Sequence, residues 1–404
     1  MSEIDYSNKD FLRHPHPLLA QSATAGSLQQ VKLPKIGRAT LITGSDALID
    51  FLKSPHRFTT NPDEVGKPNI SSNAGYLPNL PTQSGNVLFQ NGKDHRELKN
   101  KLDLALKQSG IKSIRPNVAK IADQLLENSV AIDKRNKNTR DIVTQFSQLL
   151  PILVMIELIG FPKTNAEEVL KWVLQITYPQ GLLSAHKQRS AYKNLLELLT
   201  QIMSGSVETP TESLAAKLIA IDASSPIDNA HLAFFTLMAS LASTSDLISL
   251  GCLTLIDHPQ QLEQLQQDWT KASSAVEEVL RYAAPTQTTS ARYALSNFEF
   301  HGHSFKKGDL AFGFLAASNM DPNTNESPMD FNISRTPIRQ MSFGAGAHFC
   351  SGAQLAHIIA EVALQRLFST WPNLQLANNT SGKDPIDWTI RFGTRRPSKM
   401  LVQF

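Results

Sequence analysis

Cys350 stands alone inside Phe343-Gly344-Ala345-Gly346-Ala347-His348-Phe349-Cys350-Ser351-Gly352. A thiolate is a strong metal ligand, and Gly344, Gly346 and Gly352 permit backbone angles and close approaches that a Cβ would block. Ala353, Leu355, Ala356, Ile358, Ile359 and Val362 follow at helical spacing. Cys350 is therefore expected near a helix N-terminus, where N–H groups and the dipole favour thiolate over thiol. The plainer alternative is a buried structural cysteine in a glycine-rich turn.

Other residues could complete such a site. Glu278 and Arg281 sit three apart in a helical pattern, so carboxylate and guanidinium share one face. His95 and Lys99 lie one turn apart on another helix, and Arg292 lies in a strand after Pro285. Each cation alone reads equally well as a surface charge.

The pattern from Phe343 to Gly352 resembles the haem-binding loop of the cytochrome P450 family, in the bacterial form with His before Cys. The resemblance covers nearly the whole chain and implies haem b, with Cys350 as the axial thiolate on iron. It implies that Phe343, Gly344 and Gly352 shape the loop around the cofactor. It makes His95, Arg292 and His348 partners of the haem propionates, with Lys99 standing where the family usually has Arg. Glu278-x-x-Arg281 resembles the family's Glu-x-x-Arg pair, and Arg335 matches the later arginine that joins it. That network is expected to buttress the cysteine loop. Met320 and His357 stand where Arg is common in the family, and both are expected to alter packing or surface more than chemistry.

The family's oxygen-activating helix usually carries Ala-Gly-x-Asp/Glu-Thr. Counting back from His258-Pro259, this chain has Ala239-Ser240-Leu241-Ala242-Ser243-Thr244. Ser240 replaces the glycine, Ala242 the acid and Ser243 the threonine. Ser243 or Thr244 could still hydrogen-bond water or dioxygen, but Ala242 cannot relay a proton. One reading keeps dioxygen-dependent hydroxylation, with waters and Ser243 sufficing. Another is oxidative coupling of phenols or aryl rings, which needs hydrogen or electron removal without oxygen insertion. Peroxide use fits less well, since no Arg in this stretch could hold a fatty-acid carboxylate. A haem protein that only binds ligand is the non-enzymatic alternative.

The elements that must position these groups follow from periodicity. The expected fold is mainly α with a small β-region, a cytochrome P450 fold with a long central helix over the haem, and residues 1–404 form one catalytic domain. Helices are expected at Asp94–Leu106, Ile111–Asn128, Thr139–Ile159, Ala166–Thr177, Ser184–Met203, Asn229–Asp257, Pro259–Trp269, Ala272–Tyr282 and Ala353–Phe368. Strands are expected at Arg38–Thr43, Ser290–Ala294, Phe298–Phe300, His303–Phe305 and Leu310–Phe314, with a β-rich tail from Leu374. Residues 58–92, rich in Asn, Pro and Gly, read as a long functional loop.

The chain carries a net charge of +3 and no block of like charges, which gives no argument for nucleic acid. Its two cysteines supply no disulfide framework. The polar N-terminus resembles neither a signal peptide nor a membrane anchor. The apolar run 232–256 has the length of a membrane span but reads as a buried helix, because it holds Asp246 and many hydroxyl residues. These features imply a cytoplasmic enzyme without a membrane partner. The chain shows no flavin or iron–sulfur module, so electrons are expected from a ferredoxin-type donor; Lys99, Lys101, Lys107 and Lys112 read either as part of its basic docking face or, equally well, as a solvated helix face. The substrate is expected to be a small or medium aromatic or otherwise apolar molecule. Its walls are expected from the 58–92 loop, residues 178–183, the middle of the long helix and residues 286–290.

Overall fold

The computed structural model describes residues 8–33, 36–68, 70, 86–132, 139–178, 184–377 and 384–404. Its axis is the helix Pro226–Asp257, 32 residues long and unbroken. Proline at its start needs no hydrogen-bond partner for a missing N–H. Every residue from Thr244 to Leu255 is buried. The helix is surrounded by Leu149–Ile159, Ser184–Met203, Ala272–Ala283 and Ala353–Thr370, which explains why it is apolar on all sides. It is long and apolar enough to cross a membrane, yet it lies inside the protein. The approach of the Ala353–Thr370 helix is close: a Cβ at Gly251 would stand 3.1 Å from Leu364 Cδ1.

The larger sheet orders Leu28–Leu33, Gly37–Ile42, Leu310–Gly313, Arg292–Ala294 and Phe58–Thr59. Gly37–Ile42 pairs in parallel with Leu310–Gly313, and the other pairs are antiparallel. A second sheet builds on the last strand, Arg396–Gln403, which pairs with Ile386–Thr389, with Gln375–Leu376 and with Thr139–Asp141. Phe298–Phe300 and His303–Phe305 pair as an antiparallel hairpin, while the turn at Lys307-Gly308-Asp309 makes no hairpin, because Leu310–Gly313 pairs with Gly37–Ile42 and Arg292–Ala294 instead.

The expected helix Thr139–Ile159 is instead a strand, Thr139–Asp141, a π-turn, Val143–Ser147, and a helix, Leu149–Ile159. The strand exists because Leu401–Gln403 pairs with it, and Asp141 accepts from the Val143 and Met400 N–H groups. The expected helix at Ile111 opens as a short 3-10 turn and becomes α-helical over Arg115–Ile132, with Pro116 in its first turn. Periodicity also misses the short helices Lys9–Arg13, His16–Thr24, Leu214–Ile221 and Leu315–Asn319, and the strand Leu28–Leu33. One of them carried a readable signal: Ser213 Oγ caps the Ala216 N–H at the start of Leu214–Ile221. Within the expected 58–92 loop, Phe58–Thr59 is a strand and Pro62–Val65 and Val87–Phe89 are short 3-10 turns, while residues 69 and 71–85, like residues 179–183, lie outside the described residues.

Candidate active site

The cysteine loop is set by backbone contacts. Gly344 and Gly346 adopt φ of 71° and 73°, the left-handed region. A Cβ at Gly346 would meet Leu52 O at 2.7 Å, so here the loop presses against the end of the helix Ser45–Leu52. Gly352 differs from the expectation. Its φ is −87°, and a Cβ there would sit 3.9 Å from Cys350 Sγ, an ordinary contact. The Cys350 N–H donates to Phe343 O at 3.1 Å, which closes the loop, and the helix Ala353–Thr370 follows directly.

Cys350 is accessible, and what it is accessible to is an internal cavity of about 360 Å³. Phe343, Gly344, His348, Gly352, His95, Lys99 and Arg292 border the same cavity. So do Ala239, Ala242, Ser243 and Thr244 of the central helix. The folded chain thus brings all of these expected residues together. The other cysteine, Cys252, is fully buried, and burial pushes its thiol up. For Cys350 as well, burial raises the thiol pKa, against the Gly352 N–H and the charge of Lys99. The expected preference of this loop for thiolate is therefore outweighed by desolvation, and a bound cation would have to restore it.

Four basic groups converge beside the loop. The His95 and His348 rings lie 4.1 Å apart. Burial, then the charges of Arg292, His95 and Lys99, hold His348 down to about 2. His95 is lowered by burial and by Lys99, and burial lowers Arg292 to about 10. Arg292 Nη1 donates to Phe51 O and Leu52 O at 3.2 and 3.4 Å. Arg292 Nε and His95 Nε2 are buried without a partner. Buried polar atoms are normally satisfied. A basic cluster with orphaned nitrogens facing a cavity fits an anionic group, and haem with its two propionates meets that need. Lys99 differs from its expected place: its Nζ donates to Phe349 O at 2.9 Å and Ser351 Oγ at 2.7 Å, and Asp103 stands 3.3 Å away. It braces the cysteine loop.

Glu278 and Arg281 are completely buried and face each other through two bonds, Nε to Oε2 at 2.7 Å and Nη2 to Oε1 at 2.8 Å. Arg335 Nε reaches Glu278 Oε1 at 3.2 Å, as its matching position implies. The Arg281 fork also donates to the carbonyls of Asn319, Pro328 and Asp330. Asn319 Oδ1 in turn accepts from the Met341 N–H at 2.7 Å, and Ser342 Oγ donates to Leu280 O at 2.7 Å. The network therefore reaches Met341 and Ser342, the residues that lead into the cysteine loop.

Across the cavity, Ser243 Oγ donates to Ala239 O at 3.2 Å and Ser240 Oγ to Leu237 O at 2.7 Å. The central helix stays regular here, its hydroxyls folded back on its own carbonyls. These positions, the cysteine loop and the Glu278 network are joined in one arrangement that the comparisons identify. A polyketide-biosynthesis cytochrome P450, PksS of Bacillus subtilis, is 30% identical over 394 residues, covering 94% of this chain and 93% of the relative. The chain belongs to the cytochrome P450 family. The family's sequence model matches residues 229–402. The structure of that Bacillus subtilis P450 superposes with a TM-score of 0.83 at 27% identity, covering 99% of both chains. A second P450, BioI, solved in complex with a hexadec-9Z-enoic acid ligated acyl carrier protein, gives 0.81 at 25% identity, covering 98% of this chain and 100% of that one. This P450 is thus an oxidoreductase of a family that carries haem on a cysteine thiolate.

Two features escape a reading of the sequence. His357, expected to affect packing or surface, is held 2.7 Å from Glu277 Oε1 and 3.4 Å from Glu361 Oε1, and Glu361 also pairs with Arg115. The cluster ties three helices together beside the loop. The second is Asp246, which borders the cavity and accepts from Arg396 Nε at 2.9 and 3.1 Å. The residue was visible in the sequence, but its partner lies 150 positions away.

The expected basic docking face is reduced. Lys101 is paired with Asp222 at 2.8 Å and Lys99 is turned onto the loop, leaving Lys107 exposed. The side chain of Lys112 lies outside the described residues.

Proposed function

We propose that this P450 is a dioxygen-dependent monooxygenase of secondary metabolism that oxidises an extended apolar molecule of polyketide or fatty-acyl type. The carrying observation is the cavity itself. Leu88, Phe235, Met238, Ala239, Ala242 and Leu247 give it an apolar wall opposite Cys350. The names of the two relatives, one of polyketide biosynthesis and one holding an acyl-carrier-bound fatty acid, support the same substrate class. In this reading Cys350 ligates the haem iron, while His95, Arg292 and His348 hold the propionates and Lys99 steadies the loop. Phe343, Gly344 and Gly352 shape the proximal side. Glu278, Arg281 and Arg335 fix the loop in place. Haem, once bound, supplies dioxygen activation and oxidising power. Ala239 and Ala242 leave room on the central helix, and Ser243 and Thr244 orient water by hydrogen bonding. A ferredoxin-type protein donates the electrons, and the enzyme works in the cytoplasm.

Oxidative phenol or aryl coupling is the second reading, favoured by the alanine at 242. One experiment separates them. Fatty acids, acyl carrier protein conjugates and phenols are screened by the haem spin-state shift, and turnover is run under isotope-labelled dioxygen. Label in the product supports oxygen insertion. Unlabelled dimeric product from a phenol refutes it.

A further inference from the structure

The family acid is missing at Ala242, yet one carboxylate does border the cavity: among the described residues, Asp246 alone does so. At 100° per residue, taking Ala242 as zero, Asp246 lies at about 40°, Ala239 at about 60° and Ser243 at about 100° around the central helix. Asp246 therefore shares the stripe that faces the cavity, about 6 Å further along the axis than Ala242. We infer that Asp246 is the proton-relay acid of this site, displaced by one helical turn and acting through cavity water on Ser243. The inference rests on haem being held by Cys350.

The charged and titratable groups facing it come from three places. Arg396 donates from the last strand. Arg391, in the turn before that strand, acts through its charge, and Tyr178, after the helix Ala166–Thr177, stays neutral, its phenol raised to about 12 by burial and by the Asp246 charge. A carboxylate paired with arginine ordinarily titrates low. Here burial dominates over Arg396 and lifts Asp246 to about 6. The carboxyl can then both hold and release a proton near neutral pH. In the relay, Asp246 gives its proton to an adjoining water, that water protonates Ser243 Oγ, and the serine hydroxyl proton moves on into the cavity. Asp246 is reprotonated from solvent, and no electron changes place. The rival role is a structural tether between the central helix and the last strand.

Carbon monoxide on the reduced holoprotein is the probe. The C–O stretching frequency of wild type should shift with pH around 6, and Asp246→Asn should abolish the shift. Oxygen consumption with a surrogate ferredoxin donor should fall about tenfold or more in Asp246→Asn. Adding Ala242→Asp to that variant should restore most of it, which a tether would not allow. If Asp246→Asn fails to fold, Asp246→Asn with Arg396→Gln removes both charges and should give the same two losses. A C–O shift that persists without Asp246, oxygen consumption within twofold of wild type, or no rescue by Ala242→Asp overturns the relay alone. A reduced wild type without a thiolate-type carbon monoxide spectrum overturns the haem reading, and the relay with it.

Discussion

Replacing His357 by Gln should cost stability in acid and neutral solution and little in alkali. The imidazole is largely buried, and burial works against its charge, but contacts with Glu277 and Glu361 prevail and hold its pKa at about 9. The contact with Glu277 at 2.7 Å raises it most, and that with Glu361 at 3.4 Å adds to it. The gap from 6.5 to about 9 corresponds to about 3 kcal/mol at 1.36 kcal/mol per unit. Solvent screening at Glu277, about a third exposed, trims this to about 2 to 3 kcal/mol. Because the folded value lies above the unfolded one, this stabilisation is complete below pH 6.5, declines as pH rises and is gone above about 9. The carboxylates run the other way. Burial raises Glu361, but His357 and Arg115 bring it down to about 2, and the His357 contact also lowers Glu277. Their share is present above pH 4.5 and lost as pH falls toward 2. For 404 residues, 2 to 3 kcal/mol shifts Tm by about 2 to 4 °C. Thermal unfolding of holoprotein should show that gap between wild type and His357→Gln at pH 6, closing by pH 10. His357→Arg, charged throughout, should stay flat across the range. A gap equal at both pH values would refute the assignment.

Two further outcomes follow from the loop and its support. Gly346→Ala places a Cβ 2.7 Å from Leu52 O at a left-handed position, and should lower haem retention severalfold, while Gly352→Ala, free of both problems, should stay within twofold of wild type in the same haem-loading absorbance assay. Arg281→Lys replaces a buried fork with a point charge and leaves the carbonyls of Asn319, Pro328 and Asp330 short of donors. It should cost about 3 to 5 kcal/mol in denaturant unfolding, and a variant with unchanged midpoint would show that the network does not hold the loop.

What a sequence makes legible is what is local. The cysteine loop, the Glu278–Arg281 pair and the hydroxyl-rich centre of the long helix are written in runs of ten residues or fewer, and the fold keeps each of them together. Residues Thr139–Asp141 read as helix because their hydrogen-bond partners, Leu401–Gln403, come from the other end of the chain. His357 and Asp246 fail to declare themselves for the same reason. The meaning of each depends on a partner brought by folding: Glu277 for one, Arg396 for the other. Lys99 was placed on the right helix, but its long chain could reach either the cofactor or the loop, and only geometry chooses. The thiol preference of Cys350 turns on desolvation, which residue order alone does not measure.

The end of the helix Ser45–Leu52 accepts Arg292 through two carbonyls and bears the cysteine loop at Gly346. Two walls of one chamber are thus bolted to the same post, far from either in sequence. One displacement of that helix end would therefore carry Arg292 and the cysteine loop with it.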